Sequence, residues 1–204
     1  MVDFFILYNI YMKKILLIFL LLITTSAGAG IYTNSNFKPY IGVDFGINIA
    51  DYNYQIDLDD IYYSLSANAG AKIGRNFGFE LFFEQSSTNN LEYINETQNH
   101  NHEFYYQAFG FDIFAYYGIT KQFDFFTSFG IGNYITYNQH DCVGIINEET
   151  ITKENDVTTR FGIGLMYTFP GNKVSGLIQY QYAPINNELI NTMSDFSVGI
   201  RYTF

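Results

Sequence analysis

Tryptophan is absent, cysteine occurs once, and lysine and arginine together number only 10, against 20 aspartate and glutamate residues. Each scarcity removes a class of function. Phosphate recognition needs clustered Lys and Arg, so a net charge of -10 argues against a nucleic-acid partner. The lone Cys142 leaves no internal disulfide framework and no cysteine-based zinc site. Long apolar blocks are scarce too. Apolar residues make up 48 % and aromatics 20 % of the chain, yet the mean hydropathy is close to zero. Apolar and polar residues must therefore be interleaved, which favours strands. No shift in composition divides the chain, which predicts a single domain. The 19 Tyr and 21 Phe supply rings suited to a membrane interface, and equally to any β core.

The longest apolar run lies near the start. Lys13 and Lys14 precede it at residues 15–23, and Ala27, Gly28 and Ala29 offer the small-x-small pattern of a signal-peptidase site. Residues 1–29 therefore read as a cleavable signal peptide, with the mature domain at residues 30–204. The Met-Lys-Lys order at Met12 makes a better translation start than Met1. A membrane anchor beginning near Phe4 is the competing reading, but the unbroken run falls short of the roughly 20 apolar residues of a spanning helix. No Cys follows the run, which disfavours lipid anchoring.

The remainder alternates with a period of two. At residues 40–50, Ile41, Val43, Phe45, Ile47 and Ile49 share one face, and Gly42, Asp44, Gly46 and Asn48 the other. Further strands are predicted at about residues 63–74, 77–84, 109–117, 123–132, 157–169, 174–182 and 194–204. Short turns alternate with long polar loops, the longer ones at about residues 85–103 and 137–155. Asp44, Lys72, Glu80, Glu84, Asp112, Asp124, Arg160 and Arg201 all fall opposite the apolar face.

In lipid, the backbone of a sheet must be fully paired, so such a sheet must close. Strands of about ten residues and an even strand count suit a membrane barrel with its apolar face outward. A soluble sandwich or lipocalin-like barrel shows the same alternation. The leader, the aromatic Phe204 and the Gly-rich polar faces favour the membrane version. An eight-stranded barrel is narrow, and Phe82, Phe114, Tyr116, Phe126, Met166 and Leu177 share its inward face. The expectation is an all-β, eight-stranded antiparallel transmembrane barrel whose lumen holds a structural ion network. A narrow cation-preferring water path is the alternative.

The leader, the eight alternating strands and the ending Phe196, Val198, Ile200, Tyr202, Phe204 together resemble the small outer-membrane β-barrel family of OmpX-like, Opa-like and OmpA-membrane-domain proteins. The segment Lys38-Pro39-Tyr40-Ile41-Gly42-Val43-Asp44-Phe45-Gly46 is similar to the first strand of that family's surface antigens. The resemblance implies a bacterial outer-membrane location among lipid and lipopolysaccharide, with the terminal strand as the signal read by the barrel-assembly machinery.

A rigid barrel that presents polar loops suggests a surface-exposed interaction protein, an adhesin or surface antigen meeting a host surface or matrix protein. The expected contact regions are residues 52–60, 86–102, 138–154 and 184–191, with Tyr52, Tyr54, Tyr93 and Tyr137 as anchors. The same tyrosines suit an interfacial girdle. The alternatives are an envelope-stabilising barrel without a specific ligand, a narrow channel, or a lipid A-modifying enzyme. None of the three His is followed two positions later by Ser, so no catalytic residue is assigned. His100-x-His102 with Glu103, the run His140-Asp141-Cys142, and Asp57, Asp59 and Asp60 contain metal-ligand types in predicted loops. They read as solvated residues, and neither a metal nor a cofactor is expected.

Overall fold

Alternation in the sequence becomes nine β-strands in the computed structural model, which describes residues 37–52, 60–95, 98–143, 148–186 and 190–204. The leader read at residues 1–29 lies outside the described residues, as do Tyr54, Asp57 and Asp59. The strands are β1 (Phe37–Tyr52), β2 (Ile61–Ile73), β3 (Phe77–Ser86), β4 (Asn89–Asn95), β5 (Gln98–Gly118), β6 (Phe123–Val143), β7 (Glu148–Thr168), β8 (Val174–Ala183) and β9 (Ile190–Thr203). β3 and β4 both pair with β5, and together they form a single stave interrupted at Ser87 and Thr88. Sequential neighbours pair antiparallel around the ring, and β9 pairs with β1 from Tyr40↔Thr203 to Tyr52↔Ile190. The sheet thus closes as an eight-stave antiparallel barrel with no edge in its wall.

Burial follows the parity of each strand. On β3 and β8, Glu80, Phe82, Glu84, Ser175, Leu177, Gln179 and Gln181 are buried, while Phe77, Leu81, Val174, Ile178 and Tyr180 on the opposite parity are exposed. Val43, Leu65, Ile131, Ile163 and Val198 each leave half or more of their surface uncovered, which makes sense only if lipid covers them. Aromatic rings mark both borders of this apolar band. Near the short turns, Tyr167 sits between Phe123 at 4.8 Å and Phe169 at 5.0 Å, and Tyr202 meets Phe204 at 5.5 Å. At the other border, Phe45 lies 6.1 Å from Tyr63 and Tyr180 lies 6.2 Å from Phe196.

The tight turns have the chemistry they need. Gly171 (φ 103°) and Asn172 (φ 58°) follow Pro170 between β7 and β8, a left-handed pair that Gly and Asn tolerate best. By the usual arrangement of outer-membrane barrels, these short turns face the periplasm and the longer connections face outward.

One expectation changes here. Residues 85–103 and 137–155 are for the most part strand, not loop. β4 pairs with β5 up to Asn95↔Gln98, and β6 pairs with β7 up to Cys142↔Glu148. These segments are Asn-, Gln-, His- and Glu-rich on both faces. Above the apolar band no face meets lipid, so the alternation that signals a strand disappears while the backbone ladder continues.

Val198 sits on the outer face between Phe196 and Ile200. Val198→Arg is expected to destabilise the barrel by about 2–4 kcal/mol, and Val198→Leu by less than about 0.5 kcal/mol. Equilibrium urea unfolding in lipid vesicles would measure both.

Candidate functional site

The lumen is organised by two buried guanidinium groups. Arg201 on β9 donates through Nε to Glu80 Oε2 at 2.7 Å, and through Nη2 to Glu80 Oε1 at 3.0 Å and Asp44 Oδ2 at 2.9 Å. Its Nη1 donates to Asp44 Oδ1. Asn68 on β2 adds a donor to the same Asp44 carboxylate at 2.8 Å. One cation therefore cross-links β9, β1 and β3, with β2 joined through Asn68. Close approach is possible because Gly199 leaves space for Asp44.

Arg160 on β7 is the second centre. Its Nη2 donates to Gln181 on β8. Nε lies 3.3 Å from Asp112 on β5, Nη1 lies 4.0 Å from Glu84 on β3, and the guanidinium sits 3.8 Å over the Phe82 ring. Tyr106 donates to Glu84 at 2.5 Å. Gly130 leaves room for the Asp112 carboxylate. A third pair, Lys72 and Asp124 at 2.6 Å, ties β2 to β6, with the Lys72 ammonium 4.2 Å over the Tyr116 ring.

Two apolar clusters share the lumen with this network. Toward the exterior, Tyr62, Phe82, Tyr106, Tyr134, Ile185, Ile190 and Met193 form a buried cluster. Toward the periplasm, Phe114, Tyr116, Phe126, Met166 and Leu177 form another. Below that layer, a vestibule of about 410 Å³ opens at the periplasmic mouth, lined by Lys38, Lys72, Arg75, Lys121 and Arg201 with a single acid, Asp124. A small space of about 10 Å³ lies among Asn48, Glu84, Tyr134, Arg160 and Asp195, about the size of one water molecule.

Of the eight charged residues assigned inward from the sequence, Asp44, Glu80, Glu84, Asp112, Arg160 and Arg201 are buried, and Lys72 and Asp124 are partly exposed. Asp195 belongs with them and was not on that list. It is 9 % exposed and accepts a hydrogen bond from Ser197 at 2.9 Å. Its parity matches Ser197, Gly199 and Arg201, a signal present in the sequence one residue before the alternation becomes obvious at Phe196.

The tyrosines assigned to loops need correction. Tyr52 lies at the end of β1, packs against the upper lumen cluster and shares a hydrogen bond between its hydroxyl and that of Tyr62. Tyr137 lies in β6, 9 % exposed, stacked on Tyr105 at 4.6 Å, with the Lys153 ammonium 5.5 Å from its ring. Tyr93 belongs to β4, opposite His100 in the ladder. Strand extension is the physical reason for Tyr93 and Tyr137, and the contact with Tyr62 for Tyr52. The terminal residues Phe196, Val198, Ile200 and Tyr202 pair with Ile47, Phe45, Val43 and Ile41 of β1, and Phe204 donates its amide to the Pro39 carbonyl at 3.1 Å.

Among the residues whose side chains are described, no group of three or more His, Cys, Asp or Glu is arranged to hold a metal ion.

Comparison with known proteins agrees with this architecture. Residues 15–204 match the family described as outer membrane protein beta-barrel domain. Among solved structures, the outer membrane protein OprG from Pseudomonas aeruginosa superposes with a TM-score of 0.54 at 11 % identity, covering 83 % of this chain and 97 % of that one. Neisserial surface protein A gives 0.52 at 14 %, covering 83 % and 98 %. Ail, the attachment invasion locus protein of Yersinia pestis, in complex with the heparin analogue sucrose octasulfate, gives 0.51 at 13 %, with the same coverage. No curated protein matches the chain at a significant level.

Removing Arg201 would strand two buried carboxylates. Arg201→Met is expected to cost about 3–5 kcal/mol, and adding Asp44→Asn and Glu80→Gln should recover most of the loss. Chemical unfolding of the three-substitution variant beside Arg201→Met in vesicles reads the difference directly.

Proposed function

The chain belongs to the outer membrane protein β-barrel domain family, and from that premise we propose that it is a surface-exposed interaction protein, an adhesin or surface antigen. Its place is the bacterial outer membrane. The reading is non-enzymatic. It leaves the apolar belt to lipid and lipopolysaccharide, the terminal strand to the barrel-assembly machinery, and residues 1–29 to export.

One observation carries the reading. β4, β5, β6 and β7 continue past the barrel rim as a four-stranded sheet of mostly polar sequence. A rigid scaffold that carries polar segments beyond the lipid belt suits recognition. Along β7 these segments include Glu148, Glu149, Lys153, Glu154 and Asp156.

Charge narrows the partner. The outward segments contain Asp51, Asp60, Glu92, Glu103, Asp141 and the β7 acids, with Lys153 as their base, while Lys38, Lys72, Arg75 and Lys121 gather at the opposite mouth. A sulfated polyanion such as the one bound to Ail would be repelled here. A host surface or matrix protein with a basic face suits the outward charge.

The filled lumen supports a second reading, an envelope-stabilising barrel with no specific ligand, and speaks against a steady channel. The test uses bacteria displaying the intact protein beside a version with the β4–β5 and β6–β7 hairpins cut back to the rim. Heat-modifiable gel mobility checks that both barrels fold. Binding to host cells and matrix proteins should fall to background in the shortened version and weaken with added salt. Background binding by both versions would leave the envelope-stabilising reading in its place.

A further inference from the structure

The chain has only 10 lysines and arginines, yet Lys38, Lys72, Arg75, Lys121 and Arg201 all line the vestibule of about 410 Å³ at the periplasmic mouth. Two of these are already committed. Lys72 pairs with Asp124 at 2.6 Å, and Arg201 is held by Asp44 and Glu80. Lys38, Arg75 and Lys121 are exposed, and among the described residues no carboxylate forms an ion pair with any of them. We propose that this vestibule, ringed by Lys38, Arg75 and Lys121, binds a phosphate group carrying two or more negative charges.

Closure of the sheet gathers bases that the sequence scatters. Lys38 opens β1, Arg75 lies in the β2–β3 turn and Lys121 in the β5–β6 turn. In the β1–β2 ladder Lys38 stands directly opposite Lys72, and like charges so opposed are destabilising. An anion at the mouth would relieve that repulsion. Arg75 is laid across Gly118, at the end of β5: a Cβ there would fall 2.6 Å from Arg75 Nη2 and 3.2 Å from Nε. In the adjoining turn, Thr120 Oγ1 accepts the amides of Gln122 at 3.2 Å and Phe123 at 3.0 Å. Its own proton is left to donate to a ligand. The lining passes from these exposed groups at the mouth to the buried side chains of Tyr116 and Met166.

Charge and donor type select the ligand. Three uncompensated cations exceed what a single carboxylate can balance. A phosphomonoester carries about -1.5 to -2 at neutral pH, and a diphosphate carries more. Arg75 offers a planar fork suited to phosphate oxygens, and the two lysines add point charges. A cavity of this volume lies within the range of about 300–1,000 Å³ common for small-ligand sites. The chain as a whole is strongly acidic, so its positive potential is concentrated here, where it can draw anions inward. The same group is borne by soluble phosphate compounds and by phosphomonoester lipid headgroups. The site lies at the mouth opposite the outward segments, so it goes beyond the interaction reading and stands or falls separately from it.

The test uses the full barrel folded in uncharged detergent at low salt, with heat-modifiable mobility confirming the fold of every variant. In one arm, inorganic pyrophosphate and glycerol phosphate are titrated by calorimetry; in the other, mixed micelles containing phosphatidic acid. Binding should saturate at a stoichiometry near unity and weaken with added salt. Arg75→Gln, and Lys38→Gln combined with Lys121→Gln, should each weaken it by about 10-fold or more. Gly118→Val should also weaken it, because it displaces the guanidinium without changing the net charge. Lys173, in the β7–β8 turn, is outside the lining, and Lys173→Gln should change affinity by less than about 2-fold. Saturation by the soluble compounds would sustain the site and assign it a soluble ligand; saturation by phosphatidic acid alone would sustain it and assign it a headgroup. Absence of saturation in both arms, unchanged affinity in Arg75→Gln, or an equal loss in Lys173→Gln would each overturn the assignment.

Discussion

A sheet whose outer face meets lipid can leave no backbone amide or carbonyl unpaired, because each orphaned group would cost several kcal/mol with no water to satisfy it. The ladder between β1 and β9 is where this chain meets that requirement. Closure then dictates the rest. It fixes which parity looks outward, so the aliphatic residues of every stave must face lipid. It also confines the polar parity to a space too narrow for bulk solvent.

That confinement turns the charged residues into structure. Burying a carboxylate or guanidinium is tolerable only when it is paired and hydrogen-bonded. Arg201 satisfies Asp44 and Glu80 together, and Arg160 gathers Asp112, Glu84 and Gln181 around itself. Because the partners come from different staves, each guanidinium acts as a diagonal brace across the ring. The Phe82 ring against the Arg160 guanidinium excludes water there and so strengthens the pairs it shields. Glycines opposite the carboxylates make the fit sterically possible.

Much of this architecture is legible from parity alone. Val43 against Asp44 and Ile200 against Arg201 already separate a lipid side from a lumen side, and the strand boundaries within the apolar band follow from the same contrast. What parity cannot show is a strand wet on both faces. Tyr93 and Tyr137 look like loop residues because their neighbours are polar on every side, yet ladder pairing carries β4, β5 and β6 past them. Tyr52 misleads for another reason: the sequence gives no sign that its hydroxyl meets Tyr62. Pairing across strands is likewise invisible along the chain. His102 and His140 are far apart in sequence, and only the register sets them opposite one another.

The span of the Arg201 brace bears on the order in which the molecule can assemble. Arg201 lies 157 residues from Asp44 and 121 from Glu80, and β9 follows the other described strands in the chain. Local hairpins such as β2–β3 can form early, but neither the seam nor the brace exists until the final strand arrives. Contacts of such high sequence separation make folding slow, because loop-closure entropy must be overcome before the contacts reward it. During that wait Asp44 and Glu80 stay hydrated and the apolar parity stays uncovered, so the unfinished sheet is its most aggregation-prone form. Completion of the ring buries both carboxylates and ends that exposure in a single step.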